Sequence, residues 1–140
     1  MLNRDSFKNL LFSIHMYAQW ANQYGDYNII SELQQLKTLK IPLTIGEFAS
    51  SHPARINGVC MTVYIDVQTL MRECLKHGFG YLGWSWAGNG NDGCGPLGDL
   101  DIIANVNWNT HTQFTPWGYE LVNLIGFGIA ATSTIASVFN

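Results

Sequence analysis

Ile41-Pro42-Leu43-Thr44-Ile45-Gly46-Glu47-Phe48 is an apolar run of strand length that ends on a carboxylate. Two runs of the same kind flank it: Asn9-Leu10-Leu11-Phe12-Ser13-Ile14-His15-Met16-Tyr17 before it, and Gly78-Phe79-Gly80-Tyr81-Leu82-Gly83-Trp84-Ser85-Trp86 after it. Each is rich in β-branched or aromatic residues and bounded by turn residues, which predicts three strands. Over 29–40, Ile29, Ile30, Leu33, Leu36 and Leu39 approximate one helical face, with Ser31 as the expected N-cap. Over 62–77, Val63, Val67, Leu70, Met71, Cys74 and Leu75 repeat at helical spacing, and Gly78 suits a left-handed C-terminal cap. A Gly/Asn/Asp-rich loop at 87–109 leads to Thr115-Pro116-Trp117-Gly118-Tyr119-Glu120-Leu121-Val122-Asn123, which opens with a capping Thr and a Pro at the first helical position. Strand and helix alternate three times, so the fold class is α/β, with a parallel sheet and helices packed outside it.

Composition narrows the function. Hydrophobic residues make up 47% of the 140 and charged residues 12%, which excludes global disorder. The net charge is -3, and Arg4, Lys8, Lys37, Lys40, Arg55, Arg72 and Lys76 are scattered. No basic cluster can neutralise several phosphates, so no nucleic-acid partner is expected. Cys60, Cys74 and Cys94 lack CxxC spacing and a nearby His pair, so neither a metal nor a cofactor is expected, and one disulfide can form among three pairings. The opening MLNRDSFKNLLFSIHMY has no basic stretch leading into an apolar segment and a small-residue cleavage site, and does not read as a signal peptide. Residues 121–140 carry no charge, but Asn123, Gly126, Gly128 and Thr132-Ser133-Thr134 interrupt them and no Lys or Arg flanks them, so no membrane span is expected.

The strand ends hold the residues with chemistry. An unpaired carboxylate is costly to bury, so Glu47, closing an apolar run, is the most informative single residue. His15 and Tyr17, two apart, share one face of the first strand. Trp84 and Trp86 share a face by the same parity, and flat indole faces can stack on the C–H faces of sugar rings. In a β/α barrel the C-terminal strand ends face the active site, which makes these positions functional rather than structural.

Phe12-Ser13-Ile14-His15-Met16-Tyr17, Ile45-Gly46-Glu47-Phe48 and Gly83-Trp84-Ser85-Trp86-Ala87-Gly88-Asn89 resemble, in order and spacing, the sixth, seventh and eighth strands of glycoside hydrolase family 5, with wording closest to its bacterial-type endo-β-1,4-mannanases. The resemblance runs from about Asn9 to Asn123, and the segment from Gly128 to Phe139 is similar to one that often follows these catalytic domains. It implies a (β/α)8 TIM barrel truncated to its last three β/α units, with 1–125 the catalytic portion and 126–140 a tail. It further implies a retaining hydrolase of β-1,4-mannan, with Glu47 as nucleophile, His15 and Tyr17 bordering the sugar at the cleavage point, Tyr17 placed to hydrogen-bond Glu47, and Trp84, Trp86 and Trp20 stacking on substrate. A cellulase of the same family is the alternative substrate reading. A non-catalytic fragment binding glycan through Trp84 and Trp86 is the alternative of another class. Secretion and carbohydrate-binding modules in a longer parent belong to the same expectation.

The departure is large. The family's acid/base Glu follows an Asn at the end of the fourth strand, and this chain has no Asn-Glu dipeptide. Asp92, Asp99 and Asp101 follow the last strand but match no acid/base motif. The 140 residues alone are therefore expected to be inactive, because retaining hydrolysis needs two carboxyl groups about 5 Å apart.

Overall fold

The computed structural model describes residues 9–21, 29–104 and 113–134. Expectations placed on 1–8, 105–109 and 135–140 lie outside the described residues. The elements are β1 (Phe12–Met16), α1 (Ile29–Thr38), β2 (Leu43–Phe48), β3 (Ser51–Ile56), β4 (Val59–Tyr64), α2 (Val67–His77), β5 (Gly80–Gly83), α3 (Pro116–Asn123) and α4 (Ile129–Thr132), with single 3₁₀ turns at Ala18–Trp20 and Gly98–Leu100. The three expected strands form one sheet in the order β1-β2-β5, parallel throughout. Parallel neighbours need a crossover between them, and α1 and α2 supply the two crossovers.

One face of this sheet makes the core. Phe12, Ile14 and Met16 of β1, Leu43, Ile45 and Phe48 of β2 and Tyr81 of β5 gather with Leu33, Leu70, Met71, Cys74, Trp117 and Leu121 of the helices. Ser13, His15, Thr44, Gly80 and Leu82 alternate onto the opposite face. That face is open, with Leu82 61% exposed and Leu11, just ahead of β1, 65% exposed.

Helix ends follow their local chemistry. Asp66 caps α2 by accepting from the Thr69 amide at 3.0 Å. Gly78 closes it in the left-handed region, φ 71° and ψ 33°, as its sequence position implied. Thr115 caps α3 by accepting from the Gly118 amide at 3.0 Å, with Pro116 in the first turn.

Three expectations are corrected. Ser31 is not a cap; it lies within α1. The third strand is shorter than its apolar run, ending at Gly83. The helix expected over 62–77 begins at Val67, because Thr62, Val63 and Tyr64 belong to β4. There β3 and β4 form an antiparallel hairpin closed by Asn57-Gly58, whose φ values of 49° and 83° are those a two-residue hairpin turn requires. A Cys60–Cys94 disulfide ties this hairpin to the loop after β5, and Cys74 is free and buried.

Candidate active site

Glu47 sits where it does because β2 is irregular. Side chains on a strand alternate, so Leu43, Ile45 and residue 47 would share the helix-packed face. Instead the register with β1 steps from Ile14↔Ile45 to His15↔Glu47, and that with β5 from Ile45↔Tyr81 to Phe48↔Gly83. Relative to both neighbours β2 carries one extra residue, a β-bulge. It turns Phe48 into the core and leaves Glu47 on the open side. Gly46 permits this: a Cβ there would come within 2.0 Å of the Ser13 Oγ.

On that side two groups of β1's end converge on one carboxylate oxygen. The Tyr17 hydroxyl donates to Glu47 Oε2 at 3.2 Å, and His15 Nδ1 lies 3.3 Å from the same atom, an ion pair when the imidazole is protonated. Burial first, and then the adjoining Glu47 charge, push the Tyr17 phenol well above its ordinary 10.0, so it remains a donor. Both contacts fall on Oε2, so the carboxylate is held by one oxygen.

The tryptophans occupy the end of the neighbouring strand. The Trp84 amide donates to the Phe48 carbonyl at 2.8 Å, placing Trp84 beside Glu47's strand end, and the Trp84 carbonyl accepts from Trp117 Nε1 at 3.1 Å. The Trp84–Ser85 peptide is cis. Trp84 is 41% exposed and Trp86 49%, so both offer ring surface. Trp20, in the turn after β1, is partly buried against the core.

Two of the loop aspartates, Asp92 and Asp101, bond within their own segment. Asp92 Oδ1 accepts from the Cys94 amide at 2.9 Å, and Asp101 Oδ1 from the Asn89 side chain at 2.6 Å. Asp99 lines a cavity of about 280 Å³ with Ser50, Ser51, Thr115 and Pro116, and none of the carboxylate cluster lines it. Among the described residues no group of three or more His, Cys, Asp or Glu could hold a metal ion, and no helix is long and apolar enough to cross a membrane.

Sequence reasoning missed His52, which is 8% exposed in β3 with its ring edge-on to Tyr17, centroids 5.1 Å apart. The Asn57-Gly58 pair between strand-like residues is a hairpin signal, but it pairs His52 with Val63 and gives no sign of the contact with Tyr17.

A family model described as Cellulase (glycosyl hydrolase family 5) matches residues 2–90. The mannan endo-1,4-β-mannosidase of Cellvibrio japonicus (strain Ueda107) is 34% identical over 139 residues, 99% of this chain and 28% of that protein. The enzyme of the same name from Streptomyces lividans is 33% identical over 138 residues, 96% of this chain and 30% of that protein. The mannohexaose complex of Thermomonospora fusca β-mannanase superposes with a TM-score of 0.66 at 32% identity, over 93% of this chain and 36% of that one. The chain thus spans less than a third of the length of these two curated relatives.

Proposed function

The chain belongs to glycosyl hydrolase family 5, and on that premise we propose that it forms the C-terminal part of a (β/α)8 catalytic barrel hydrolysing β-1,4-mannan with retention. In this reading β1, β2 and β5 are the sixth, seventh and eighth strands. The observation that carries it is the convergence of Tyr17 and His15 on one oxygen of Glu47, at the C-terminal end of the central strand and beside an exposed Trp84.

Each residue has a distinct task. Glu47 Oε1 attacks the anomeric carbon as the glycosidic C–O bond breaks, and a carboxylic acid from another part of the barrel protonates the departing oxygen. Tyr17 and His15 hold Oε2, so the nucleophile meets the sugar already oriented, which removes part of the entropic barrier. Water, deprotonated by the same outside carboxylate, then attacks the anomeric carbon and releases Glu47. Trp84 and Trp86 offer indole faces to the sugars flanking the cut, and Trp20 is a further stacking position. The ligand is β-mannan or another β-1,4-glycan, and the chemistry calls for no cofactor.

The test is a complete barrel containing this chain, assayed for new reducing ends on soluble mannan and on carboxymethyl cellulose. A fluorinated, activated mannoside should label Glu47, located by peptide mass mapping. Label on Asp92, Asp99 or Asp101 would overturn the assignment. The second reading, a cellulase, draws on the description of the matching family model. Preferential turnover of the cellulose derivative would decide for it.

A further inference from the structure

Resting on the proposed function, a second question arises: what holds Tyr17 so that its hydroxyl reaches Glu47. Strand β1 ends at Met16, and Tyr17 itself has φ -123° and ψ -142°, outside the ladder and just ahead of the 3₁₀ turn. Beyond the hydroxyl's hydrogen bond to Glu47, the direction of the Tyr17 ring is set by what packs against it. Packed against it is the imidazole of His52, with an interplanar angle of 75°.

His52 is itself well fixed. It pairs with Val63 in the hairpin, and that hairpin is held to the loop after β5 by the Cys60–Cys94 disulfide and by Arg55, whose guanidinium donates to the Gly93 carbonyl at 3.5 Å. The buried Nδ1 has no hydrogen-bond partner among the described residues, so no polar contact at that atom draws the ring away from the phenol. Burial lowers the imidazole's proton affinity below its ordinary value, opposed by the Asp92 carboxylate. The ring thus favours its neutral form and brings no second charge to the group that serves Glu47.

We propose that His52 is a positioning residue: its flat, buried ring sets the orientation of Tyr17 and, through it, the nucleophile. The hairpin is then part of the catalytic apparatus, although it lies outside the barrel sheet.

A double-mutant cycle in the complete barrel tests this. His52→Leu and His52→Gln each fill the site without a flat ring, and His52→Phe keeps one. Kcat on mannohexaose should fall about 10- to 100-fold in the Leu and Gln variants with KM little changed, since a displacement of about 1 Å can cost that much. His52→Phe should retain kcat within about threefold. Combined with Tyr17→Phe, His52→Leu or His52→Gln should cause no further loss, because both changes act through one hydroxyl. Either ringless variant suffices if the other does not fold. Losses that multiply in the double variant, or a ringless variant with unchanged kcat, would overturn the inference while leaving the proposed function intact. An unsubstituted barrel that turns over no β-1,4-glycan would overturn the function and this inference together.

Discussion

At the scale of single residues, Glu47 and Gly46 act as a pair. Glu47→Ala in a complete barrel should lower turnover by at least about 10³-fold with substrate binding retained, because the covalent route is lost. Added azide should restore part of the rate and give product of inverted configuration. Gly46→Ala should destabilise by about 1–3 kcal/mol, since its new methyl meets the Ser13 hydroxyl. Adding Ser13→Ala should recover much of that, read as the urea midpoint of the double variant against the single. Cys74 gives a pH signature. Burial first, and then the Glu73 charge, push its thiol up from 9.0 to about 12. The folded value lies above the unfolded one, so this contribution is complete below pH 9 and is lost as pH rises from 9 to about 12. Wild type should lose more stability than Cys74→Ala between pH 8 and pH 11, measured by denaturant titration at each pH.

At the scale of elements, the hairpin carries most of what was not legible in advance. Apolar runs bounded by turn residues located β1, β2 and β5, helical spacing located α1, and the capping Thr115 with Pro116 located α3. Around β4 helical spacing misled: Val63 is buried and stands four residues before Val67, so strand and helix merged into one apparent helical stripe. The bulge in β2 was equally unreadable, because strict alternation puts Glu47 on the face of Ile45 and only pairing with two neighbours reveals the extra residue. The residues of the candidate site were legible as types at strand ends, and the resemblance implied the Tyr17 hydrogen bond to Glu47, whereas His15 on the same oxygen was not expected and depends on that bulge. The bridge to Cys94 could not be read either, since three cysteines allow three pairings. It closes a loop across a separation of 34 residues, which corresponds to roughly 3–4 kcal/mol from restricting the unfolded chain. Cys60→Ser should lower stability by about that amount. Thiol titration should find no reactive sulfhydryl in the folded protein and one, Cys74, after denaturation.

At the scale of the whole molecule, the sheet formed by the described residues is not closed. β1 and β5 stand at its two ends, each with one side unpaired among those residues, and the face bearing Leu11, His15 and Leu82 is uncovered. Parallel sheets are ordinarily covered on both faces, and open edges invite association. Residues 1–140 by themselves should therefore sediment as a concentration-dependent mixture rather than a single monomer. They should also release no reducing ends from mannan. A sharp monomer boundary at all concentrations would mean that the sheet closes in another way. The Cys60–Cys94 bridge has a further consequence, which concerns where the chain matures. A cross-link that contributes stability on this scale leaves part of the fold's persistence to the oxidant around it. Made in a reducing cytosol, the same polypeptide would carry three thiols, and the hairpin would be held to the loop after β5 by the Arg55–Gly93 hydrogen bond and side-chain packing alone. The position of His52 beneath Tyr17 would then depend on the redox state of the compartment as well as on the sequence.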